Sequence, residues 1–586
     1  MFEFKNISFR YALSKKEALK NIDLHINEGE FILITGRSGS GKSTLLKHFK
    51  KSMTPEGSRS GDILFEGVSF DDIDKVREAT GIGYVGQNPD NQIVTDKVWN
   101  ELAFGLENIG VKSDEINKRI AETASYFGLT QIFEKDVFVL SGGQKQLLNL
   151  ASVVVMQPKL IVLDEPTSQL DPIAAQHFID TVVRLNTELG MTVVITEHKL
   201  SELYSHADRI VIMEDGEIIC DDTPVNAAAF IAENSGDIPA FGGLPASVRI
   251  YAKADKNIRG SADFRKCPLN VREARKWLSG AYQAKQADSR CKNYMTEMQA
   301  ETDQYTKSSQ KNEANRHTKL KSKIETDRST KSDNAVCLKN VSFRYGKNLR
   351  NVLEDINFTV KKGDFMAIVG ANGSGKTTFL RLLGGIIKKS SGKIVCNGRT
   401  VCLAQNPMSM FTEISVEEEL AQIMTDKTNV WAKGLSIEEK KSEIDMELEK
   451  NGLEAYRKVN PYDLSGGQQQ KLALSKVLLL KPDILLLDEP TKGLDAQFKE
   501  QLGERLKKLV KNDNVTIIMV SHDIEFCAEY AANCAMIFNG KVMAKEAATE
   551  FFEGNRYYTT EAARIASGII PHCVTVEQIT EALNLC

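Results

Sequence analysis

Two α/β units in tandem, each a parallel sheet covered by helices, are what this 586-residue sequence predicts. The first sign is internal repetition. Asn6-Ile7-Ser8-Phe9-Arg10-Tyr11 recurs as Asn340-Val341-Ser342-Phe343-Arg344-Tyr345, and Leu163-Asp164-Glu165-Pro166-Thr167 recurs as Leu487-Asp488-Glu489-Pro490-Thr491. Intervals agree as well: 33 residues separate Glu165 from His198, and Glu489 from His522. Matched intervals between matched motifs make the repeat unit a whole domain rather than a solenoid turn. The second sign is a set of continuous apolar, β-branched runs, Phe31–Thr35, Leu160–Leu163 and Thr192–Thr196, with counterparts at Phe365–Val369, Ile484–Leu487 and Ile517–Val520. Runs of this kind are parallel strands buried on both faces. The third sign lies at the C-terminal ends of these runs, where the chain carries a glycine-rich loop opening a helix, or an Asp-Glu pair.

Taken in order, the first domain spans 1–233, a polar linker 234–334, the second domain 335–547, and a helical tail 548–586. The linker matches neither copy. Its second half is polar, Lys and Arg outnumber Asp and Glu across it, and it is expected to be partly disordered with one short helix near Val271–Lys285. One interval differs between the copies. Lys42 precedes Gln87 by 45 residues but Lys376 precedes Gln405 by 29, so part of a surface sheet is expected to be trimmed from the second copy.

Composition narrows the function classes. A 42% hydrophobic and 26% charged chain is ordinary globular protein. A net charge of −4 gives no support for nonspecific nucleic-acid binding by the whole chain. Ten cysteines without C-x-x-C pairs fit free thiols better than disulfides or a zinc site. No apolar run approaches the roughly 20 residues that span a bilayer, and Met1-Phe2-Glu3-Phe4-Lys5 is not a signal peptide. Work at a membrane would have to go through partner chains.

The glycine-rich loops carry the first chemistry. Gly36-Arg37-Ser38-Gly39-Ser40-Gly41-Lys42-Ser43, then Thr44, follows one strand and opens a helix. Gly370-Ala371-Asn372-Gly373-Ser374-Gly375-Lys376-Thr377, then Thr378, does the same in the second copy. Glycines let backbone N–H groups curl around phosphate oxygens, and the lysine reaches the β- and γ-phosphates of ATP. The Ser43 and Thr377 hydroxyls would ligate Mg²⁺. Carboxylate pairs at the ends of buried strands are costly unless they have work to do. Asp164 and Asp488 would hold the Mg²⁺ shell, and Glu165 and Glu489 would polarise the attacking water. His198 and His522, each after a buried strand at the same distance from its Glu, read as catalytic.

Leu140-Ser141-Gly142-Gly143-Gln144 and Leu464-Ser465-Gly466-Gly467-Gln468 separate one family from other phosphate-loop enzymes. Over both domains the sequence resembles ABC transporter ATPases. The resemblance implies cassettes with a RecA-like core, an antiparallel β subdomain and a helical signature subdomain. It implies that Tyr11 and Tyr345 stack on adenine, that Gln87 and Gln405 touch Mg²⁺ and the attacking water, and that His198 and His522 sense the γ-phosphate. Ser168–Asp171 and Lys492–Asp495 resemble the loop that crosses between cassettes, with Asp171 and Asp495 at its end. In this family cassettes pair head to tail, so Ser465-Gly466-Gly467-Gln468 would cap ATP on the first phosphate loop and Ser141-Gly142-Gly143-Gln144 ATP on the second. Both sites keep their residues, so both are expected to hydrolyse ATP, and pairing within the chain would replace a separate ATPase dimer.

Gly86-Gln87-Asn88-Pro89-Asp90-Asn91-Gln92, then Val98 to Asn108, and the run Glu197-His198-Lys199-Leu200 resemble the ATPases of energy-coupling factor (ECF) importers. That resemblance implies a motor on the cytoplasmic face of the cell membrane, held by a transmembrane coupling subunit that works with a membrane substrate-capture subunit, for uptake of a vitamin or transition metal. The second copy departs after Gln405-Asn406-Pro407, at Met408-Ser409-Met410, which speaks against a symmetric partner contact. A soluble tandem ABC ATPase acting on the ribosome is the alternative, suggested by the basic linker. Such proteins carry Asn-His-Leu-Asp after Glu-Pro-Thr, where this chain has Ser168-Gln169-Leu170-Asp171 and Lys492-Gly493-Leu494-Asp495.

Overall fold

Strand order decides which loops meet. The structure, a computed structural model, describes residues 1–12, 14–197, 200–234, 243–255, 258, 266–286, 333–347, 349–426, 429–492 and 494–585. In the first cassette the strands are β1 (Phe2–Tyr11), β2 (Leu19–Ile26), β3 (Phe31–Gly36), β4 (Gly57–Phe65), β5 (Val68–Ser69), β6 (Ile82–Val85), β7 (Leu160–Asp164), β8 (Thr192–Thr196), β9 (Arg209–Glu214) and β10 (Glu217–Asp222). Six form one sheet in the order β10-β9-β3-β8-β7-β6. All its pairings are parallel except β9 with β10. Every residue of β3, β6, β7 and β8 is buried, as the uniformly apolar runs require. Parallel neighbours put the C-terminal ends of β3, β8, β7 and β6 side by side. The segments leaving those ends carry the phosphate loop, Glu197, the Asp164-Glu165 pair and Gln87, and ligands of open α/β sheets bind at that edge.

A second sheet, β2-β1-β4-β5, is antiparallel. Alternate residues of β1 and β2 turn inward, and Phe2, Phe4, Phe49, Phe65 and Phe70 form a shared core with the inner face of the parallel sheet. Phe2 and Phe49 stack with centroids 4.7 Å apart.

The second cassette repeats the plan with β11 (Asn334–Phe343), β12 (Leu353–Lys361), β13 (Phe365–Val369), β14 (Ser391–Cys396), β15 (Thr400–Leu403), β16 (Ile484–Asp488), β17 (Thr516–Val520), β18 (Asn533–Phe538) and β19 (Lys541–Ala547). The large sheet runs β15-β16-β17-β13-β18-β19 and the small one β12-β11-β14. The shorter interval before Gln405 has a definite origin. In the first cassette β5, a single 3-10 turn and the helix Lys75–Gly81 lie between β4 and β6, whereas β14 runs almost directly into β15. The trimmed piece is therefore a helix as well as a sheet strand.

Close contacts divide the chain into two compact units, Met1–Ala252 with Lys492–Glu500, and Lys253–Thr491 with Gln501–Cys586. The chain passes from one unit to the other at 252/253, inside the segment read as linker. The helix expected near Val271–Lys285 runs Val271–Gln286, and a helix Ala246–Lys253 that the sequence reading does not foresee precedes it. Trp277, Leu278, Ala281 and Tyr282 of the longer helix are buried, as are Ile565, Ile579 and Leu583 of the tail. That helix packs on the tail helices Glu561–Ala566 and Val576–Leu585. Arg275 donates to the Arg564 carbonyl (2.5 Å), and Lys253 pairs with Glu577 (2.7 Å). The polar stretch Lys307–Ser332 lies outside the described residues. Among the described residues no helix is long and apolar enough to cross a membrane.

Candidate functional site

At both phosphate loops the backbone turns in a way only glycine tolerates. Gly36 has φ 146° and Gly370 φ 150°, and a Cβ there would stand 2.1 Å from the Met213 carbonyl oxygen and 2.2 Å from that of Ile537. The loops close on their own lysines. Lys42 Nζ donates to the Gly36 and Arg37 carbonyls (2.7 and 2.8 Å), and Lys376 Nζ to those of Gly370 and Ala371 (2.8 and 2.9 Å). Both lysines are buried. Burial lowers the Lys42 pKa against the opposing charges of Glu165, Asp164 and Asp495, the last within the first compact unit through Lys492–Glu500. Ser40 Oγ and Ser374 Oγ, inside the two loops, are buried and find no hydrogen-bond partner among the described residues. A buried hydroxyl without a partner is expensive, and phosphate oxygens within the loops would satisfy both.

The carboxylate pairs lie at the next strand ends. Ser43 Oγ donates to Asp164 Oδ1 (3.1 Å) and Thr377 Oγ1 to Asp488 Oδ1 (3.3 Å). Burial raises the pKa of both aspartates, Asp164 further through the neighbouring charge of Glu165. Glu165 and Glu489 both adopt the left-handed backbone region, φ 46° and 52°. A non-glycine residue there is strained by about 1–3 kcal/mol, and the same strain at the same residue in both cassettes marks a side chain aimed by its backbone. Gln87 Nε2 donates to Glu165 Oε2 (3.1 Å). In the second cassette the His522 backbone N–H donates to Glu489 Oε2 (3.1 Å), and His522 Nε2 lies 3.4 Å from Glu489 Oε1 and 2.8 Å from Asn372 Oδ1. Gln405 is exposed, and His198 lies outside the described residues.

The remaining candidates have local partners. Tyr11 and Tyr345 pair their hydroxyls with Thr44 and Thr378 (2.9 and 3.1 Å), which brings each ring beside the helix behind the phosphate loop. Ser141 and Gln144 form a reciprocal capping box on the helix Gly142–Val154, and Ser465 and Gln468 one on Gly466–Leu478, so two of the five signature residues set a helix start. Gly142, Gly143, Gly466 and Gly467 are the first turns of those helices. Asp171 caps Pro172–Leu189, and Asp495 accepts from the Phe498 N–H (2.8 Å). The phosphate loop, Asp164, Glu165 and Gln87 meet at one sheet edge, whereas Ser141–Gln144 begin a separate helix and their caps close within its first turn.

Sequence reasoning missed Tyr84 and Thr196. The Tyr84 hydroxyl, buried on β6, donates to Asp164 Oδ2 (3.1 Å), and the fully buried Thr196 donates to Asp164 Oδ1 (3.0 Å) while its oxygen accepts from the Glu165 N–H (3.1 Å). The only signal was a hydroxyl in each of two strands next to the one that ends in Asp164.

The chain is similar to known proteins along its length. A family model described as ABC transporter matches residues 19–168 and 353–492. A Bacillus cereus protein named as an ABC transporter ATP-binding protein is 39% identical over 594 residues, covering 99% of this chain and 97% of its own. The solved structure of cbiO1 from Clostridium perfringens, described as part of the ABC transporter complex cbiONQ, is 32% identical over 41% of this chain and 95% of its own, with TM-score 0.36. The archaeal ribosome recycling factor aABCE1, solved with the stalk protein aP1, is 20% identical over 94% of this chain and 91% of its own, with TM-score 0.55.

Proposed function

This chain belongs to the ABC transporter family and is an ATPase, and on that premise we propose that it is the motor of an ECF-type membrane importer, with two composite ATP sites. In this reading the Lys42 and Lys376 loops each hold one ATP, capped by Ser465–Gln468 and Ser141–Gln144 respectively. Glu165 and Glu489 accept a hydrogen bond from the attacking water and orient it toward the γ-phosphorus, and the products are ADP and phosphate. Mg²⁺ suits the oxygen donors present: Ser43, Asp164 and Gln87 at the first site, Thr377, Asp488 and Gln405 at the second. Bound there, the ion offsets charge on the phosphate oxygens.

The observation that carries the importer reading is the surface after Gln87. Val94, Trp99 and Phe104 are exposed (66%, 41% and 41%), while Val98, Leu102 and Leu106 of the same helix, Val98–Asn108, fill the core. Phe104, which an ordinary cassette could bury, faces outward. A partner helix lying on such a strip is held by a few apolar anchors. The second cassette has Glu417 and Gln422 where the first has Trp99 and Phe104, in keeping with unlike halves. The likeness to aABCE1, at 20% identity, speaks for the fold alone.

Val94→Glu is expected to leave ATP hydrolysis of the isolated chain within about twofold of the parent, as exposed substitutions usually do. Co-purification with the membrane subunit and solute uptake should fall together. Loss of ATPase activity as well would mean the residue serves the cassette itself. Survival of all three would move the docking surface elsewhere.

A further inference from the structure

The two Mg²⁺ carboxylates are held by different chemistry. On Asp164 three neutral hydroxyls converge: Ser43 Oγ and Thr196 Oγ1 on Oδ1 (3.1 and 3.0 Å), Tyr84 OH on Oδ2 (3.1 Å). Strand register places the last two. Tyr84 is the β6 partner of Val162, and Thr196 the β8 partner of Asp164. In the second cassette the same register places Cys402 opposite Leu486 and Val520 opposite Asp488. Neither can replace the hydroxyl it stands for: Val520 has no polar atom, and a thiol is a weak donor. Among the described residues one hydroxyl, Thr377 Oγ1, donates to Asp488 (3.3 Å).

These differences work in one direction. Neutral donors fix a carboxylate's orientation and leave its negative charge for a cation. Outer hydrogen-bond partners of a metal ligand orient it and raise affinity. We propose that Tyr84 and Thr196 are positioning residues for Asp164, and that through them the first ATP site binds its divalent cation more tightly than the second. The proposal rests on the reading of Asp164 and Asp488 as the Mg²⁺ carboxylates.

The test uses the full chain carrying Glu165→Gln and Glu489→Gln, loaded with ATP and titrated with Mn²⁺ as the spectroscopic probe. Two classes of bound Mn²⁺ are expected. Tyr84→Phe and Thr196→Val should each weaken the tighter class about 10-fold or more, the usual cost of removing an outer partner of a metal ligand. Val520→Thr, which restores a hydroxyl beside Asp488, should tighten the weaker class. ATP affinity in EDTA and the unfolding midpoint should stay at parent values in Tyr84→Phe, a pattern that a merely structural role would not give. If Asp164→Asn weakens the tighter class while Tyr84→Phe and Thr196→Val leave it unchanged, the proposal falls and the metal reading stands. If Asp164→Asn leaves both classes unchanged, both fall.

Discussion

Glu165→Gln and Glu489→Gln are each expected to cut steady-state ATP turnover of the full chain by about 10²–10⁴-fold, the usual range for loss of one well-placed catalytic group. The substitution keeps shape and removes charge. Each glutamate occupies a strained left-handed backbone position, φ 46° and 52°, which its neighbours hold in place. The Gln87 amide beside Glu165 and the His522 N–H beside Glu489 would still find an oxygen. Nothing in either phosphate loop changes, so ATP binding should persist at parental affinity. If the proposed composite sites form, one unhydrolysed nucleotide keeps the pair closed, so a single substitution should slow the whole chain and the double variant should trap ATP. Steady-state phosphate release and filter binding of ATP on the same preparations check both halves. A single variant that keeps the full parental rate would show that its site is vestigial, and one that keeps half would show two sites turning over independently.

Lys476→Met should destabilise the second cassette by about 3–5 kcal/mol, because it strands a buried carboxylate. Glu419 is fully buried and Lys476 nearly so, and the two form an ion pair. Glu419 also accepts from the backbone N–H groups of Thr412 and Glu413, and Lys476 donates to the Met410 carbonyl (2.6 Å). The pair thereby ties the loop after Gln405 to the signature helix Gly466–Leu478. At domain size such a loss lowers the calorimetric midpoint by about 6–20 °C. Among the described residues the first cassette solves the same problem without a cation. Glu101 stands where Glu419 does and accepts from the N–H groups of Val94 and Thr95 (3.1 and 2.8 Å) and the Thr95 hydroxyl (2.9 Å), with Ser152 in place of Lys476. Ser152→Ala should therefore shift stability by less than about 1 kcal/mol. Lys476→Met combined with Glu419→Gln should recover part of the loss, since no unpaired charge remains. A midpoint unchanged in Lys476→Met would mean the pair contributes nothing net.

How much was legible in the sequence depended on the range of the contact. The phosphate loops, the strand-ending Asp-Glu pairs and the buried parallel strands are local patterns, and continuous runs such as Phe31–Thr35 leave little choice of structure. Tyr84 and Thr196 were invisible because their role comes from strand order: β6 and β8 flank β7 only once the sheet is assembled. The strain at Glu165 and Glu489 is likewise set by tertiary fit rather than propensity. The helix Ala246–Lys253 was missed for a different reason. Eight residues holding Ser247, Arg249 and Lys253 look polar, yet Ala246, Val248, Ile250, Tyr251 and Ala252 are buried. The helix Val271–Gln286 was legible from its periodicity, but not that its apolar face, Trp277, Leu278 and Ala281, meets a tail almost three hundred residues away.

Fractionation of cells expressing the chain, followed by ATPase assays on the fractions, separates the importer from the ribosomal alternative. The expected result is that the full chain sediments with membranes, copurifies in detergent with an integral membrane subunit, and hydrolyses ATP faster when that complex turns over solute, with Val94→Glu abolishing both the association and the stimulation. Recovery of the chain on ribosomal particles, with ATPase activity stimulated by ribosomes and indifferent to Val94→Glu, would contradict it.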